Sequence, residues 1–182
     1  MNALELLLGR RSCHRLVAPA PGGEALALML RAALRVPDHK RLRPVEFIVV
    51  SGEGLDRLGA LFATAARGAG KDDATVERAR RMPHRAPMLV IVAARPRPDD
   101  TVSVLEQQMS AGCSVMALQL AAQAQGFSSV WRSGWLMFDR AVHEGLGLGP
   151  GDQIVGFLYV GTAAGPLPPA PSVDPEAFVR YF

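Results

Sequence analysis

The stretch Glu106–Gly134, EQQMSAGCSVMALQLAAQAQGFSSVWRSG, decides how the rest of the chain is read. No formal charge lies between Glu106 and Arg132. Cys113, Met116, Ala117, Leu120, Ala121 and Ala124 follow the i, i+3, i+4, i+7 spacing of a helix, and Val115, Leu118 and Ala122 form a second apolar stripe. A helix apolar on nearly every side belongs in a core. Its polar residues, among them Gln107, Gln108, Ser110, Ser114, Gln119, Gln123 and Gln125, exclude a membrane span, because their amides and hydroxyls would lose water without gaining partners. Gly126 is placed to end the helix in a left-handed conformation. Phe127–Trp131 then reads as a short buried strand that delivers Trp131, Arg132 and Ser133 to its end, where α/β sheets tend to place ligands.

Outward from that stretch the elements are short and clearly punctuated. Asn2 caps a helix over Ala3–Gly9, and a second amphipathic helix runs from Glu24 to about Arg35, with Leu26, Met29, Leu30 and Ala33 inward and Pro37 as its stop. Strands are predicted over Glu46–Ser51, Met88–Ala94, Ser128–Trp131 and Ile154–Val160. The second of these is continuously apolar and therefore buried on both faces. Helices are predicted around Leu55–Ala66, Ala74–Met82 and Arg140–Leu146, and Asp100 or Thr101 is placed to cap the central helix. The pattern is one domain over residues 1–182, a mixed sheet covered by helices. The tail, about 162–182, is rich in Pro and Ala yet ends in Phe178, Tyr181 and Phe182, so it is expected to dock on its own protomer or on a partner.

Nearly half the residues are hydrophobic, which excludes a disordered chain. The net charge of +3 rests on eighteen Arg against two Lys, with acids interspersed. No basic block is dense enough to suggest nucleic acid. Arginine-rich usage favours fixed, bidentate contacts to phosphate or carboxylate, although biased genomic composition gives the same ratio. Cys13 and Cys113 stand far apart with no metal-ligand spacing, and no metal site is expected. Met1–Gly9 lacks the basic start and long apolar core of a signal peptide, so the expected location is the cytoplasm.

The candidate chemistry is arginine chemistry. Arg10, Arg11, Ser12 and Arg15 follow a short helix at a turn, where guanidinium groups and backbone N–H groups can face an anion; the alternative is a solvated basic turn. Arg35 and His39 flank Pro37, either as ligand donors or as exposed helix-end side chains. Trp131, Arg132 and Ser133 offer another cationic contact, against the alternative of a buried Trp beside an exposed Arg. Gly145, Gly147, Gly149 and Gly151 follow a helix rather than a strand, the wrong context for a dinucleotide fingerprint. No nucleophile motif or zinc motif is present. Arginines without a protein-borne catalytic set point to a bound cofactor that carries the chemistry.

In their order along the chain, RRSxxR at Arg10–Arg15, AxRxPDHK around Arg35–Lys40, the charge-free MSAGCSVMALQLAA, QGF, WRSG and IVGFLYVGT resemble the FMN-dependent nitroreductases, and most of all their short bacterial members. The resemblance covers essentially the whole chain. It implies an α+β nitroreductase-like fold, a central mixed sheet flanked by helices, with FMN at a homodimer interface and both chains contributing to each site. By position, Arg10, Arg11 and Ser12 would bind FMN through its phosphate and ribityl side, Trp131, Arg132 and Ser133 would complete that pocket, and Arg35 and His39 would approach from the other protomer. It also implies ping-pong hydride transfer from NAD(P)H through FMN to a nitroaromatic, a quinone or another small oxidised acceptor. One departure stands out. Arg43, Pro44 and Val45 occupy places where the family usually carries an amide, a proline and an aromatic, and this motivates a second reading, a non-catalytic FMN store or redox sensor.

Overall fold

A computed structural model describes residues 2–182 of the chain. Asn2 caps α1 (Ala3–Leu8) in a reciprocal pair with Glu5, which satisfies two N–H groups that a six-residue helix otherwise leaves to water. Then follow β1 (Leu16–Val17), α2 (Gly23–Ala33), β2 (Val45–Ser51), α3 (Glu53–Gly68), α4 (Asp73–Arg81) and β3 (Met88–Ala94). The chain continues with α5 (Val104–Ala124), β4 (Ser128–Arg132), α6 (Arg140–Gly145) and β5 (Gln153–Ala163). Four sheet strands were expected, and a fifth is present. A strand of two residues such as β1 carries no periodicity to detect.

β3 lies between β2 and β5, and β5 also pairs with β4 and, at its far end, with β1. All of these pairings are antiparallel, so the sheet of one chain contains no parallel pair among its described residues. Every residue of β3 is buried, as its unbroken apolar run requires. Pleating divides the core in two. Leu89, Ile91, Phe157 and Tyr159 meet Phe62, Val76 and Val142 on the α3, α4 and α6 side. Val90, Val92, Leu158 and Val160 meet Met29, Ala33, Val115 and Leu118 on the α2 and α5 side. Truncating Leu118, fully buried between helix and sheet, to Ala would cost roughly 2–5 kcal/mol.

The central helix differs from its expectation in two ways. Its cap is Ser103, which pairs reciprocally with Glu106, rather than Asp100 or Thr101. Its burial is also one-sided: Ala111, Ser114, Val115, Leu118, Gln119 and Ala122 are buried, whereas Leu105, Met109 and Cys113 are exposed. The second apolar stripe packs on the sheet, and the first faces away from it. Gly126 has φ of 84° and turns the chain into β4, as expected.

Candidate functional site

The segment after α1 is laid along β4 by a backbone hydrogen bond, Cys13 N–H donating to the Ser129 carbonyl at 2.9 Å. Cys13, only 2% exposed, is the apolar peg of that contact. α1 is tied to the last turn of α5 where the Gln123 Nε2 donates to the Leu6 carbonyl at 3.4 Å. Arg10 and Arg11 therefore sit half-buried over a cavity of about 180 Å³ that Gln119, Gln123, Ser128 and Ser129 also line. Gln119 is buried and donates through Nε2 to Ser129 Oγ at 3.3 Å, so the cavity wall is polar and fixed. Ser12 is exposed, and lines a neighbouring cavity of about 370 Å³ with His14, Arg15 and residues 164–168.

β4 contributes Arg132 to the same neighbourhood. Its guanidinium lies 5.8 Å from the centre of the Tyr159 ring, and its Nη2 is 3.3 Å from His14 Nδ1. Because a guanidinium only donates, His14 Nδ1 is the acceptor of this contact. Burial pushes the Tyr159 phenol up from its ordinary range, against the opposing pull of Arg85 and Arg132. Two atoms here are anomalous: the Nε groups of Arg11 and Arg132 are buried without any hydrogen-bond partner. Among the described residues no carboxylate pairs with Arg10, Arg11 or Arg132. An unpaired buried cationic donor is costly, and a bound anion is the ordinary way to offset it.

Strand pleating sends Trp131 to the opposite face from Arg132. Trp131 is 40% exposed and its Nε1 donates to the Val155 carbonyl at 3.2 Å, with the indole lying where any Cβ at Gly156 would go. The alternative of a buried Trp beside an exposed Arg is thus reversed: Arg132 is half-buried and Trp131 is not. Ser133 is exposed just beyond the strand.

Arg35 and His39 stand elsewhere in the same chain. Their segment docks on the first half of α5, where Ser110 Oγ donates to the Pro37 carbonyl at 2.7 Å and Ser114 Oγ to the Ala33 carbonyl at 3.0 Å. Gln123, which lines the arginine cavity, is thirteen residues further along the helix, roughly 20 Å at the helical rise. Arg35 is exposed, and His39 Nδ1 lies 3.3 Å from Glu106. The Glu106 carboxyl is held below its ordinary range by the Ser103 backbone and hydroxyl, then by His39. The loop that follows is strained and clamped. Lys40, Arg41 and Arg43 all take positive φ, while Asp38 accepts from the Leu42 and Arg43 backbone N–H groups and from Arg43 Nη1. Arg43, at the place of the expected amide, is therefore already engaged.

The structure thus sets Arg10 and Arg11 over one cavity, Ser12 at the neighbouring one and Arg132 against His14, which lines that second cavity, turns Trp131 to the far face, and leaves Arg35 and His39 at the other end of α5. Gln119, Gln123, Ser128, Ser129 and His14 were not singled out from the sequence. The polar glutamines in a charge-free helix were the available signal for the first two, since buried amides must find partners. His14 had none, lying between residues that already explained the turn.

A model of the family described as "Nitroreductase family" matches residues 7–162. The chain is 48% identical over 185 residues to the Escherichia coli K12 protein named "Putative NAD(P)H nitroreductase YdjA", with all of both chains covered. It is 40% identical over 165 residues to a Haemophilus influenzae protein named "Putative NAD(P)H nitroreductase", covering 89% of each. In three dimensions it matches a nitroreductase-like family protein from Bacillus cereus with TM-score 0.87 at 22% identity, over 100% of this chain and 96% of that one. It also matches the FMN and NADPH-dependent nitroreductase NfnB from Sphigopyxis sp. strain HMH with TM-score 0.75 at 19% identity, over 100% and 99%. These last two likenesses establish the fold.

Proposed function

The chain belongs to the nitroreductase family, and from that premise we propose that it is an FMN-dependent NAD(P)H oxidoreductase that works as a homodimer on small oxidised acceptors. The observation that carries the reading is the pair of buried, partnerless Nε groups on Arg11 and Arg132, neither of which pairs with a carboxylate among the described residues. These residues fit a phosphorylated flavin. Arg10, Arg11 and Arg132 would hold the phosphate with charge-assisted hydrogen bonds, Ser12 and Ser133 would add neutral donors, and the Gln119–Ser129 pair would keep the wall of the cavity fixed. When bound, FMN supplies the redox chemistry, taking hydride from NAD(P)H and passing it to a nitroaromatic, a quinone or another acceptor in two half-reactions at one open site. The protein's part is to bind, to orient and to set a positive potential that favours negative charge beside it.

The dimer reading is supported by what one chain leaves uncovered. Leu105 and Met109 of α5 are 64% and 62% exposed, and Leu4 and Leu8 of α1 are 68% and 77% exposed, an apolar surface suited to a second copy. Across such an interface, Arg35 and His39 of one protomer reach the arginine cavity of the other, which a single chain does not permit. The tail is compatible with the same arrangement: residues 164–168 line the cavity beside His14 on their own protomer, whereas Phe178, Tyr181 and Phe182 beyond them are exposed and available to a partner. No helix among the described residues is long and apolar enough to cross a membrane, and the site needs neither a lipid nor a nucleic acid. The cytoplasm, with its supply of reduced nicotinamide nucleotides, suits the reaction.

The second reading, an FMN store or sensor without turnover, is favoured by one observation, the engagement of Arg43 by Asp38 where an amide would otherwise serve. The visible spectrum of the dialysed protein tests both. A flavin spectrum that bleaches on anaerobic addition of NADPH or NADH, and returns with a nitroaromatic or quinone, supports catalysis. A flavin spectrum that persists supports storage or sensing. A colourless protein that refuses FMN ends both.

A further inference from the structure

Arg132 is held from one side only. Its Nε has no partner, its guanidinium lies over the Tyr159 ring, and the one side-chain acceptor it meets is His14 Nδ1 at 3.3 Å. The groups around this contact are Arg15 on the same segment, Tyr159 on β5 and Arg85, whose charge reaches Tyr159; residues 164–168, which close the cavity beside His14, carry no charge. No carboxylate stands ready to fix the guanidinium. A flexible side chain with several rotamers would otherwise lose conformational freedom on meeting a ligand, so an acceptor that fixes it beforehand lowers the cost of binding. His14 is itself anchored, because its neighbour Cys13 is pinned to the Ser129 carbonyl.

We infer that His14 is a positioning residue: its imidazole, accepting from Arg132 through Nδ1, presets that guanidinium, whose buried Nε is left unpartnered, for an anionic ligand without touching the ligand itself. The inference rests on the proposal that the ligand is FMN. It explains why an imidazole stands in a row of arginines: a neutral acceptor offers a lone pair to a guanidinium without bringing a carboxylate that would compete with the anion.

FMN affinity of the purified, flavin-stripped protein, read by quenching of flavin fluorescence, tests it in four variants. His14→Leu removes the acceptor and is expected to weaken FMN about tenfold. His14→Asn places an amide oxygen near the position of Nδ1 and is expected to recover most of that loss, which a merely steric role would not allow. Arg132→Leu is expected to weaken FMN at least as much, and the double variant His14→Leu/Arg132→Leu no further than Arg132→Leu alone. Additive losses would mean that His14 meets FMN directly, and would overturn the inference while leaving the flavin site in place. His14→Leu with unchanged affinity beside a weakened Arg132→Leu would do the same. Arg132→Leu with unchanged affinity would overturn both the inference and the assignment of Arg132 to the cofactor site. Circular dichroism of each variant identifies any loss due to unfolding, and His14→Asn, the mildest change, still decides the matter if His14→Leu does not fold.

Discussion

Two basic regions flank the central helix, and they differ in how their charge is met. In the loop after α2, His39 faces Glu106, Lys40 binds Asp99 and Thr101, and Arg43 binds Asp38. Beside β4, Arg10, Arg11 and Arg132 are half-buried with no acid, and two of them have a buried Nε that bonds nothing. The difference shows that a count of arginines does not locate a ligand. Charge that is already paired builds structure, and charge left buried and unpaired awaits a partner. Arg35 and Arg41 are the exceptions at the first region, exposed and without a carboxylate partner among the described residues.

The comparison is broken most severely by removing the interface that would join the regions. Met109→Glu, on the outward face of α5, is expected to give monomers by light scattering and to abolish flavin retention, because each protomer would bring a carboxylate into an apolar interface. Unaltered dimers would remove this face from the interface. A smaller effect separates the regions themselves. Arg11→Leu should weaken FMN by roughly 10- to 100-fold, the worth of a charge-assisted hydrogen bond, whereas Lys40→Met should leave affinity within about twofold. Equal losses would erase the distinction.

Asp38→Ala bears on structure. It takes one carboxylate from two backbone N–H groups and a guanidinium in a loop with three left-handed side-chain-bearing residues, at a site whose side chain is 8% exposed. Stability by urea unfolding should fall by about 2 kcal/mol. Asp38→Asn, which keeps an acceptor oxygen, should lose less. The smallest effect is acid sensitivity. The Lys40 ammonium, with the Thr101 and Val102 backbone N–H groups, holds the Asp99 carboxyl down to about 2. A carboxyl depressed in the folded state contributes stability that is present above its unfolded value of 3.8 and lost as pH falls toward 2. Lys40→Met should therefore narrow the difference between stability at neutral pH and at pH near 2, and identical acid titrations of the two proteins would contradict the assignment.

Much of the fold was legible because its signals are local. The apolar run Met88–Ala94 is the strand β3 to the residue, and Gly126 ends α5 with the left-handed turn expected of it. Other features depend on neighbours that a sequence does not display. Ser103 took the cap because Glu106 stands three residues on to reciprocate, a pattern that the sequence contains but that the choice of Asp100 or Thr101 did not use. Apolar residues all round α5 suggested full burial, yet among the described residues one sheet covers one of its faces, and much of the other stripe stays exposed. The RRS and WRS stretches were visible as arginine clusters, but their pairing was not. Alternation along β4 separates Trp131 from Arg132, and the Arg132–His14 contact spans 118 residues.

The central claim is that each flavin site is shared, with Arg132 from one protomer and Arg35 from the other. Mixing Arg132→Leu protein with Arg35→Ala protein, after dissociation and reassociation, tests it directly. Each parent is expected to bind FMN poorly, while every mixed dimer regains a single intact site, built from the Arg132 of one variant and the Arg35 of the other. Recovery of tight FMN binding on mixing is the predicted result. Two weakened parents with no recovery in verified mixed dimers would place both arginines on the same side of the interface and contradict the account.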